Sequence, residues 1–319
     1  MTVSTRRVWR AAPPTLVLVT AFAVVAGVVV PLLAWLIYRH ERTLWLPLLL
    51  AVLTVLAVGY AWRFGLYPKL SADDLGIRIS NPIRRYLFEW DDVTVIAPGE
   101  NGLIIGSEER QAEAWCIQKS NHASKLNKAT RADQVAGELI DLLETYQPPV
   151  SDEETGLRIR RGRPDEHLML AGMERASSED SFAHVFPPEE YPFPLTEVAQ
   201  RWRRQLRDRL CWVHVLELKE EPVGFVAFTA DTVLHLAVLP EHRNRGYGSA
   251  LLEFATTEMF DHGIKQAELW VLTQNEPARA FYASHGWLET DERQESGFPP
   301  HPELLKMIRP NPAAPRRSR

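Results

Sequence analysis

The fold of this chain is decided by the stretch Val233-Leu234-His235-Leu236-Ala237-Val238-Leu239-Pro240-Glu241-His242-Arg243-Asn244-Arg245-Gly246-Tyr247-Gly248-Ser249-Ala250-Leu251-Leu252. It passes from an apolar run through a charged bend into a glycine-containing segment, which predicts a strand, a turn and a helix N-terminus. The first N–H groups of a helix lack internal partners and carry partial positive charge, so this junction favours an anion. Gly246 and Gly248 let a phosphate approach the main chain, and Arg243 and Arg245 add cationic donors.

Taken alone, this stretch is equally consistent with an ordinary glycine turn before a core helix. A Rossmann dinucleotide site is excluded because no third glycine stands at the required spacing and no acidic residue ends a second strand about 20 residues later. A Walker A loop is excluded because no Gly-Lys-Ser/Thr follows. The helix carries Leu251, Ala255 and Met259 on one face and is predicted to stop at Gly263.

A second stretch follows from Leu269 to Trp287, with Asn275 seven residues before Tyr282 and a Phe-Tyr pair shortly before His-Gly-Trp. With these two motifs in this order and spacing, the chain from about Leu157 to Arg309 resembles the GNAT superfamily of N-acetyltransferases. The resemblance implies a mixed α/β fold, acetyl-CoA as cosubstrate and no metal. It leads us to expect an acyltransferase.

The resemblance also assigns roles to residues. Tyr282 matches the family's proton donor to the departing thiolate. The cofactor-binding residues it implies are Leu236, Ala237 and Val238 along the strand, Arg243, Asn244, Arg245, Gly246, Tyr247, Gly248, Ser249 and Ala250 in the pyrophosphate loop, and Asn275.

The general base is less clear from the sequence. Asp231 and Thr232 occupy the region where some family members carry a strand-borne glutamate, and His235 is nearby. His235 is equally consistent with a satisfied strand histidine. Glu189 and Glu190, in a predicted irregular loop, are candidates for holding a cationic amine.

The remaining elements of this half follow from periodicity. We expect a strand at 157–160, a helix at 164–176, a loop at 177–194 and a helix from Thr196 that buries Val198, Trp202, Leu206 and Leu210. A hairpin at 212–218 and 223–228 and strands at 268–272, 288–293 and 303–308 would complete a mixed sheet.

Composition limits the function classes. A net charge of −5 and a pI near 6.1 argue against general nucleic-acid binding. Cys116 and Cys211 lie far apart without metal-ligand spacing, so they are expected to be buried free thiols. The ten histidines form no metal-binding motif.

The N-terminus carries two long apolar runs. Ala11 to Tyr38 gives 28 uncharged residues and Thr43 to Trp62 gives 20 more, each long enough to cross a bilayer of about 30 Å. The alternatives are a cleaved signal peptide for the first run and a buried soluble helix for the second. Two transmembrane helices, at about 14–38 and 43–62 within a two-helix hairpin of residues 1–66, are favoured because Trp and Tyr lie at their ends.

Flanking charges predict the orientation of this hairpin. Arg6, Arg7 and Arg10 precede the first run. Arg63 and Lys69 follow the second. Because cytoplasmic flanks are enriched in cations, both termini and the catalytic domain are expected in the cytoplasm, at the cell (inner or plasma) membrane, where acetyl-CoA is available.

The middle of the chain, residues 67–146, alternates short strand-like pieces with turn signals and ends in a helix from Thr130 with Asp133 in the capping-box position. A glycine before the first strand and the segment Phe88–Asp91 resemble the PH-like domains of bacterial membrane proteins. This implies a small β-barrel plus helix that either docks a lipid or partner or serves as a spacer. A linker at 147–156 and a disordered tail at 310–319 complete the predicted organisation.

The sequence thus predicts a membrane-anchored acetyl-CoA-dependent N-acetyltransferase acting on a primary amine of a small molecule or polypeptide. The alternative is a non-catalytic acyl-CoA-binding sensor or scaffold at the membrane. The sequence names neither the amine nor the oligomeric state.

Overall fold

A computed structural model describes residues 6–41, 45–117, 130–152 and 154–312. The chain divides into two compact units, Met1–Gln147 and Pro148–Arg319. Each unit has its own hydrophobic core. The residues connecting the two apolar helices and the last residues of the predicted tail lie outside the described ranges.

The first unit begins with a short strand and two apolar helices. They are β1 (Arg7–Arg10), α1 (Pro13–Glu41) and α2 (Trp45–Tyr60), the last continued by a π-helical turn at Ala61–Leu66. Both helical segments are long and apolar enough to cross a membrane. They pack antiparallel, since Gly65 at the end of the second lies against Val19 near the start of the first. Most of their apolar side chains are exposed.

Strand β1 was not anticipated from the sequence. It pairs antiparallel with β2 (Lys69–Asp73), from Arg7 opposite Ala72 to Arg10 opposite Lys69. The two apolar helices are therefore an insertion between neighbouring strands of one sheet. The ladder holds the start of α1 and the end of the π-helical turn at the same edge of the domain.

The rest of this unit is two small sheets and a helix. β3 (Gly76–Ser80) and β4 (Arg85–Phe88) extend the first sheet in the order β1-β2-β3-β4. β5 (Val95–Pro98), β6 (Leu103–Gly106) and β7 (Gln111–Ala114) form the second. From the sequence we expect the last of these strands at Ala114-Trp115-Cys116-Ile117, but pairing with β6 selects residues 111–114 instead.

Helix α3 (Arg131–Tyr146) closes this core. It has the predicted capping box, in which the Thr130 hydroxyl accepts from the Asp133 backbone and the Asp133 carboxylate accepts from the Thr130 backbone. Its apolar face, including Val135, Leu139 and Leu143, packs on both sheets. The structure thus has a small β domain with a C-terminal helix, while its resemblance to PH-like domains stays a prediction.

The second unit is one eight-stranded mixed sheet with helices on both faces. Its elements are β8 (Val150–Asp152), β9 (Leu157–Arg161), α4 (His167–Phe182), α5 (Leu195–Gln205), β10 (Trp212–Leu218), β11 (Glu221–Phe228), β12 (Thr232–Val238), α6 (Tyr247–Asp261), β13 (Gln266–Leu272), α7 (Glu276–Ser284), β14 (Leu288–Glu295) and β15 (Glu303–Pro310). The strand order is β14-β15-β13-β12-β11-β10-β9-β8.

Two cores sandwich this sheet. On one face, Leu251, Ala255 and Met259 of α6 pack against inward-facing residues of β10 to β15, as the helical spacing predicted. On the other face, Trp202 of α5 and Leu170 of α4 pack against β10, β11 and β12. This arrangement leaves the ends of β12 and β13 between the two helical layers.

Three local expectations differ from the structure. Residues 150–152, assigned to the linker, form β8 and pair with β9. Helix α4 continues to Phe182 through residues expected to be loop. Helix α5 ends at Gln205, so Leu210, placed on its buried face by i+4 spacing, is 47% exposed.

Candidate active site

The central feature of the second unit is a gap between β12 and β13. These strands are parallel neighbours, but they pair only at Thr232–Glu268 and Val233–Leu269. Within residues 154–312 no further pair joins them, and β12 continues for five more residues along β11 alone. The two strands therefore form a wedge whose open end points toward the loop after β12.

The edge of β12 that faces the wedge carries free backbone groups. The Leu239 N–H donates to the Val223 carbonyl at 2.9 Å, and antiparallel residues alternate between bonded and non-bonded pairs. The N–H and C=O groups of Leu236 and Val238 consequently point away from β11. The Val238 carbonyl accepts from Ser177 and Arg243, so the free groups are the Leu236 N–H and C=O and the Val238 N–H. Ala237 lies between them and points its backbone groups at Phe225.

At the open end of the wedge the loop turns into α6. Gly246 has a φ of +85°, and a Cβ added there would have no atom within 4 Å. No side chain of residues 154–312 caps this helix start. The first-turn N–H groups, at Tyr247, Gly248 and Ser249, are thus open to an external acceptor. Ala250 closes the first turn by donating its N–H to the Gly246 carbonyl at 3.0 Å.

The two arginines of this loop differ in their surroundings. Arg245 and the neighbouring Asn244 are exposed, and neither has a partner among the described residues. Arg243 is turned back into the protein: it pairs with Asp180, and its Nη2 and Nε atoms lie 3.1 and 3.3 Å from the carbonyl oxygens of Ser177 and Val238. Arg245 is therefore the cation free to meet an anion at this helix start.

Ser177 and Asp180 were missed by the sequence analysis, which placed both in a loop. The Ser177 hydroxyl donates to the Val238 carbonyl at 3.2 Å, and Asp180 holds Arg243. These contacts tie the last turns of α4 to the end of β12, which explains why α4 extends beyond its apolar stretch. No local sequence pattern predicts these contacts, because the partners of Ser177 and Asp180 are about 60 residues away in sequence.

Tyr282 lies on α7 on the same face of the sheet as α6. Its ring packs edge-on against Trp287 and Phe281, with centroids 6.1 and 5.3 Å away. No described residue hydrogen-bonds to its hydroxyl. Burial raises the pKa of Tyr282 to about 12, so the phenol carries its proton at neutral pH. Asn275 caps this helix, its Oδ1 accepting from the Ala278 N–H at 3.2 Å.

His235 lies on the opposite face, in contact with α5. Its Nε2 is 3.1 Å from Nε2 of Gln205, and its ring centroid is 5.1 Å from that of Trp202. Burial, followed by the positive charge of Arg201, lowers the pKa of His235 to about 3. An imidazole with this pKa is neutral at physiological pH and a poor acceptor for an ammonium proton.

Of the remaining candidates, Asp231 lies apart from the wedge opening. Asp231 is exposed at the closed end of the strand pair, where it accepts from the Thr232 hydroxyl at 2.9 Å. Glu189 and Glu190 are exposed on a turn that follows α4, where the Glu190 N–H donates to the Pro187 carbonyl.

Comparison with known proteins matches this architecture to a family. The model of the Acetyltransferase (GNAT) family matches residues 174–287. An uncharacterized N-acetyltransferase of Archaeoglobus fulgidus is 34% identical over 137 residues, which are 37% of this chain and 89% of that protein. The peptidyl-lysine N-acetyltransferase YjaB of Salmonella typhimurium is 30% identical over 155 residues, 48% of this chain and 99% of that protein. The chain belongs to the GNAT family.

Among solved structures, the PaiA N-acetyltransferase of Thermoplasma acidophilum in complex with coenzyme A matches with 19% identity and a TM-score of 0.42, covering 49% of this chain and 99% of that one. The chain described here is thus an acetyl-CoA-dependent N-acetyltransferase of the GNAT family. No group of residues suited to a metal ion occurs in the described part of the chain.

The surroundings of His235 lead to a prediction about pH. Because its pKa is about 3, replacing it should not remove a group that titrates near neutral pH. We expect His235→Gln, which keeps a hydrogen-bonding side chain beside Gln205, to leave the shape of the kcat/KM profile between pH 6 and 9 unchanged. Steady-state assays across this range measure it.

The matching structural measurement is a histidine NMR titration of the full chain, in which His235 should stay neutral down to pH 5. A limb of the pH profile that disappears in His235→Gln would instead identify the imidazole as the base.

Proposed function

We propose that this protein is a membrane-anchored acetyltransferase that moves the acetyl group of acetyl-CoA to a primary amine of a small molecule or polypeptide. The observation that carries the proposal is the wedge between β12 and β13, which opens onto the uncapped start of α6. A pocket of this form suits a long thioester with a diphosphate at one end.

The cofactor side of the proposal rests on complementary chemistry. The diphosphate would accept from the N–H groups at the start of α6, at Gly246 and the three residues after it, with Arg245 beside it. The amide-bearing arm would pair with the Leu236 N–H and C=O and the Val238 N–H on the β12 edge, in the manner of an added strand. Here the bound molecule supplies an activated acetyl group, and the protein supplies positioning.

Tyr282 is proposed as the proton donor to the thiolate. A phenol of pKa about 12 is a weaker acid than an ordinary thiol, whose pKa is about 8.5. The burial that raises the phenol's pKa disfavours a thiolate formed beside it in the same way, because desolvation penalises any anion. The two groups therefore stay closer in proton affinity than their values in water suggest.

The acceptor is proposed to be a cationic amine. Glu189 and Glu190 are exposed, and no described residue pairs with either carboxylate, so both are available to a cation. One of the similar proteins is described as a peptidyl-lysine N-acetyltransferase, which supports a lysine side chain as a candidate acceptor.

The membrane part of the proposal rests on α1, α2 and the β1–β2 ladder. The helices expose apolar side chains along their length, whereas a core helix of a soluble protein is mostly buried. Since the ladder fixes both ends of the helical insertion at one edge, both ends lie on the same side of any bilayer it crosses.

The same edge is cationic, which supports a cytoplasmic orientation. Arg10, Lys69 and Arg85 end neighbouring strands in one row, because Arg10 pairs with Lys69 and both Lys69 and Arg85 pair with Ser80. Arg63 stacks on Tyr67, 4.5 Å from its centroid. Cations at the membrane exit of helices favour the cytoplasmic side.

Cofactor binding is tested at Gly246. Gly246→Asp places a carboxylate at the α6 N-terminus and should weaken CoA binding by about 100-fold, or about 2.8 kcal/mol, as measured by calorimetry. The matched control is Gly263→Asp, which shares the positive φ (+83°) and the open space at the other end of the same helix. Equal affinities for the two variants would contradict the proposed diphosphate site.

Transfer is tested through Tyr282. Tyr282→Phe keeps the packing against Trp287 and removes only the O–H, so CoA affinity should hold while turnover on an accepted amine falls about 10²–10⁴-fold. A panel of amines including lysine peptides, followed by thiol release, provides the assay. A wild-type chain that binds CoA but acetylates no amine would favour the sensor alternative.

Anchoring is tested by removing the helices without removing β1. Replacing residues 11–68 with Asn-Gly joins Arg10 to Lys69 as a two-residue hairpin and should give a protein in the soluble fraction. Simple deletion of residues 1–66 also removes β1 and should be less stable. In the intact chain, a reporter fused after Arg319 should be active only in the cytoplasm. Periplasmic activity would contradict the orientation.

A further inference from the structure

We infer that Glu268 is the residue that takes the proton from the acceptor amine. This inference rests on the proposed function and supplies the base that the sequence did not identify. The general base would then be a carboxylate on β13, whereas the sequence led us to expect a residue on β12.

The position of Glu268 follows from the strand register. It pairs with Thr232 in the first of the two pairs that join β12 and β13, and its N–H donates to the Asp231 carbonyl at 2.7 Å. The wedge opens two residues further along, after the pair Val233–Leu269. Because the diphosphate end is proposed at the open mouth, the acetyl end of the bound molecule points toward this closed end.

The face on which Glu268 lies is opposite to that of Tyr282. Val233 and Leu269, the second pair, are buried in the core under α6. Side chains alternate along a strand, so Thr232 and Glu268 point to the other face. Tyr282 packs against the α6 core. The proposed proton donor and the carboxylate of Glu268 thus lie on opposite faces of the sheet.

Contacts hold the Glu268 carboxylate in place. Its Oε2 lies 2.6 Å from Nζ of Lys306, and its Oε1 accepts from the Thr232 hydroxyl at 3.4 Å. The carboxyl is 26% exposed, so it is supported by the protein yet open to a ligand or water. Lys306 itself rests over the Trp270 ring, 5.8 Å from its centroid.

Other acids and bases near the wedge are less suited. His235 is engaged with Gln205 and packs against the Trp202 ring. Asp231 is exposed beyond the closed end. Thr232 stands where some family members carry an acid, and its hydroxyl is not a base at neutral pH. Glu268 supplies a carboxylate directly across from Thr232.

The acceptor ammonium passes one proton to Glu268, directly or through a water, and Glu268 releases it to solvent. The free amine forms the N–C bond, and the C–S bond breaks. Tyr282 protonates the sulfur and is reprotonated by the second proton of the attacking nitrogen. One ammonium and one thioester thus give one amide, one thiol and one released proton.

The test is Glu268→Gln in the full chain in detergent. At pH 7 we expect turnover on a lysine peptide to fall about 100-fold. The defect should shrink toward pH 10, since a lysine amine with a pKa of about 10.4 then loses its proton unaided. CoA affinity by calorimetry and the melting temperature should stay near wild type. A defect of equal size at every pH would mean a structural role and overturn the inference.

Two further variants sharpen this test. Glu292→Gln makes the same change at the other carboxylate near Lys306, 3.4 Å from Nζ and 63% exposed, and should keep activity within about twofold. Thr232→Glu in the Glu268→Gln background returns a carboxylate to the paired strand and should restore turnover at pH 7.

Full turnover of Glu268→Gln at pH 7 would exclude Glu268 while leaving the proposed acetyltransferase intact. Should Glu268→Gln fail to fold, the turnover of Thr232→Glu/Glu268→Gln tests whether a carboxylate at this position is the base. A folded but inactive double variant counts against the inference.

Discussion

The separation of β12 from β13 is the constraint on which the second unit depends. Neighbouring strands usually stay hydrogen-bonded along their common length, yet β12 and β13 pair at only two positions. The register of β12 against β11 shifts at Ala227/Phe228, leaving Leu234 as an extra residue just where the wedge opens. Bulges bend the strand that carries them and are common beside active sites. The bend turns β12 away from β13 and leaves a gap lined with backbone donors and acceptors.

Helix α4 supports the edge of β12 that lines this gap. Ser177 and Arg243 both donate to the Val238 carbonyl, and Asp180 keeps Arg243 in position. Arg243, one of the two arginines in the loop after β12, thereby supports the edge of the wedge, whereas Arg245 is exposed and available to the proposed ligand. Two arginines that are close in sequence therefore have different surroundings, since Arg243 supports the strand edge and Arg245 is free for the proposed binding.

The sequence anticipated what is local and missed what is distant. The strand, turn and helix around Gly246 were predictable because their signals lie within 20 residues. The capping box at Thr130 was equally readable. Strand β1 was not, since four residues without alternation form a strand only through pairing with residues about 60 positions later. The last turns of α4 were missed for the same reason, as they are fixed by β12.

The candidate site shows the same division. Its cofactor side rests on a contiguous motif, and a resemblance could point to it residue by residue. Its acceptor side depends on which strand lies beside β12, because Glu268 is adjacent to Thr232 only in the folded sheet. No spacing in the sequence encodes that adjacency, since β12 and β13 are parallel and separated by a helix. The sequence of β12 alone therefore does not identify the base, because the carboxylate next to Thr232 lies on the neighbouring parallel strand β13.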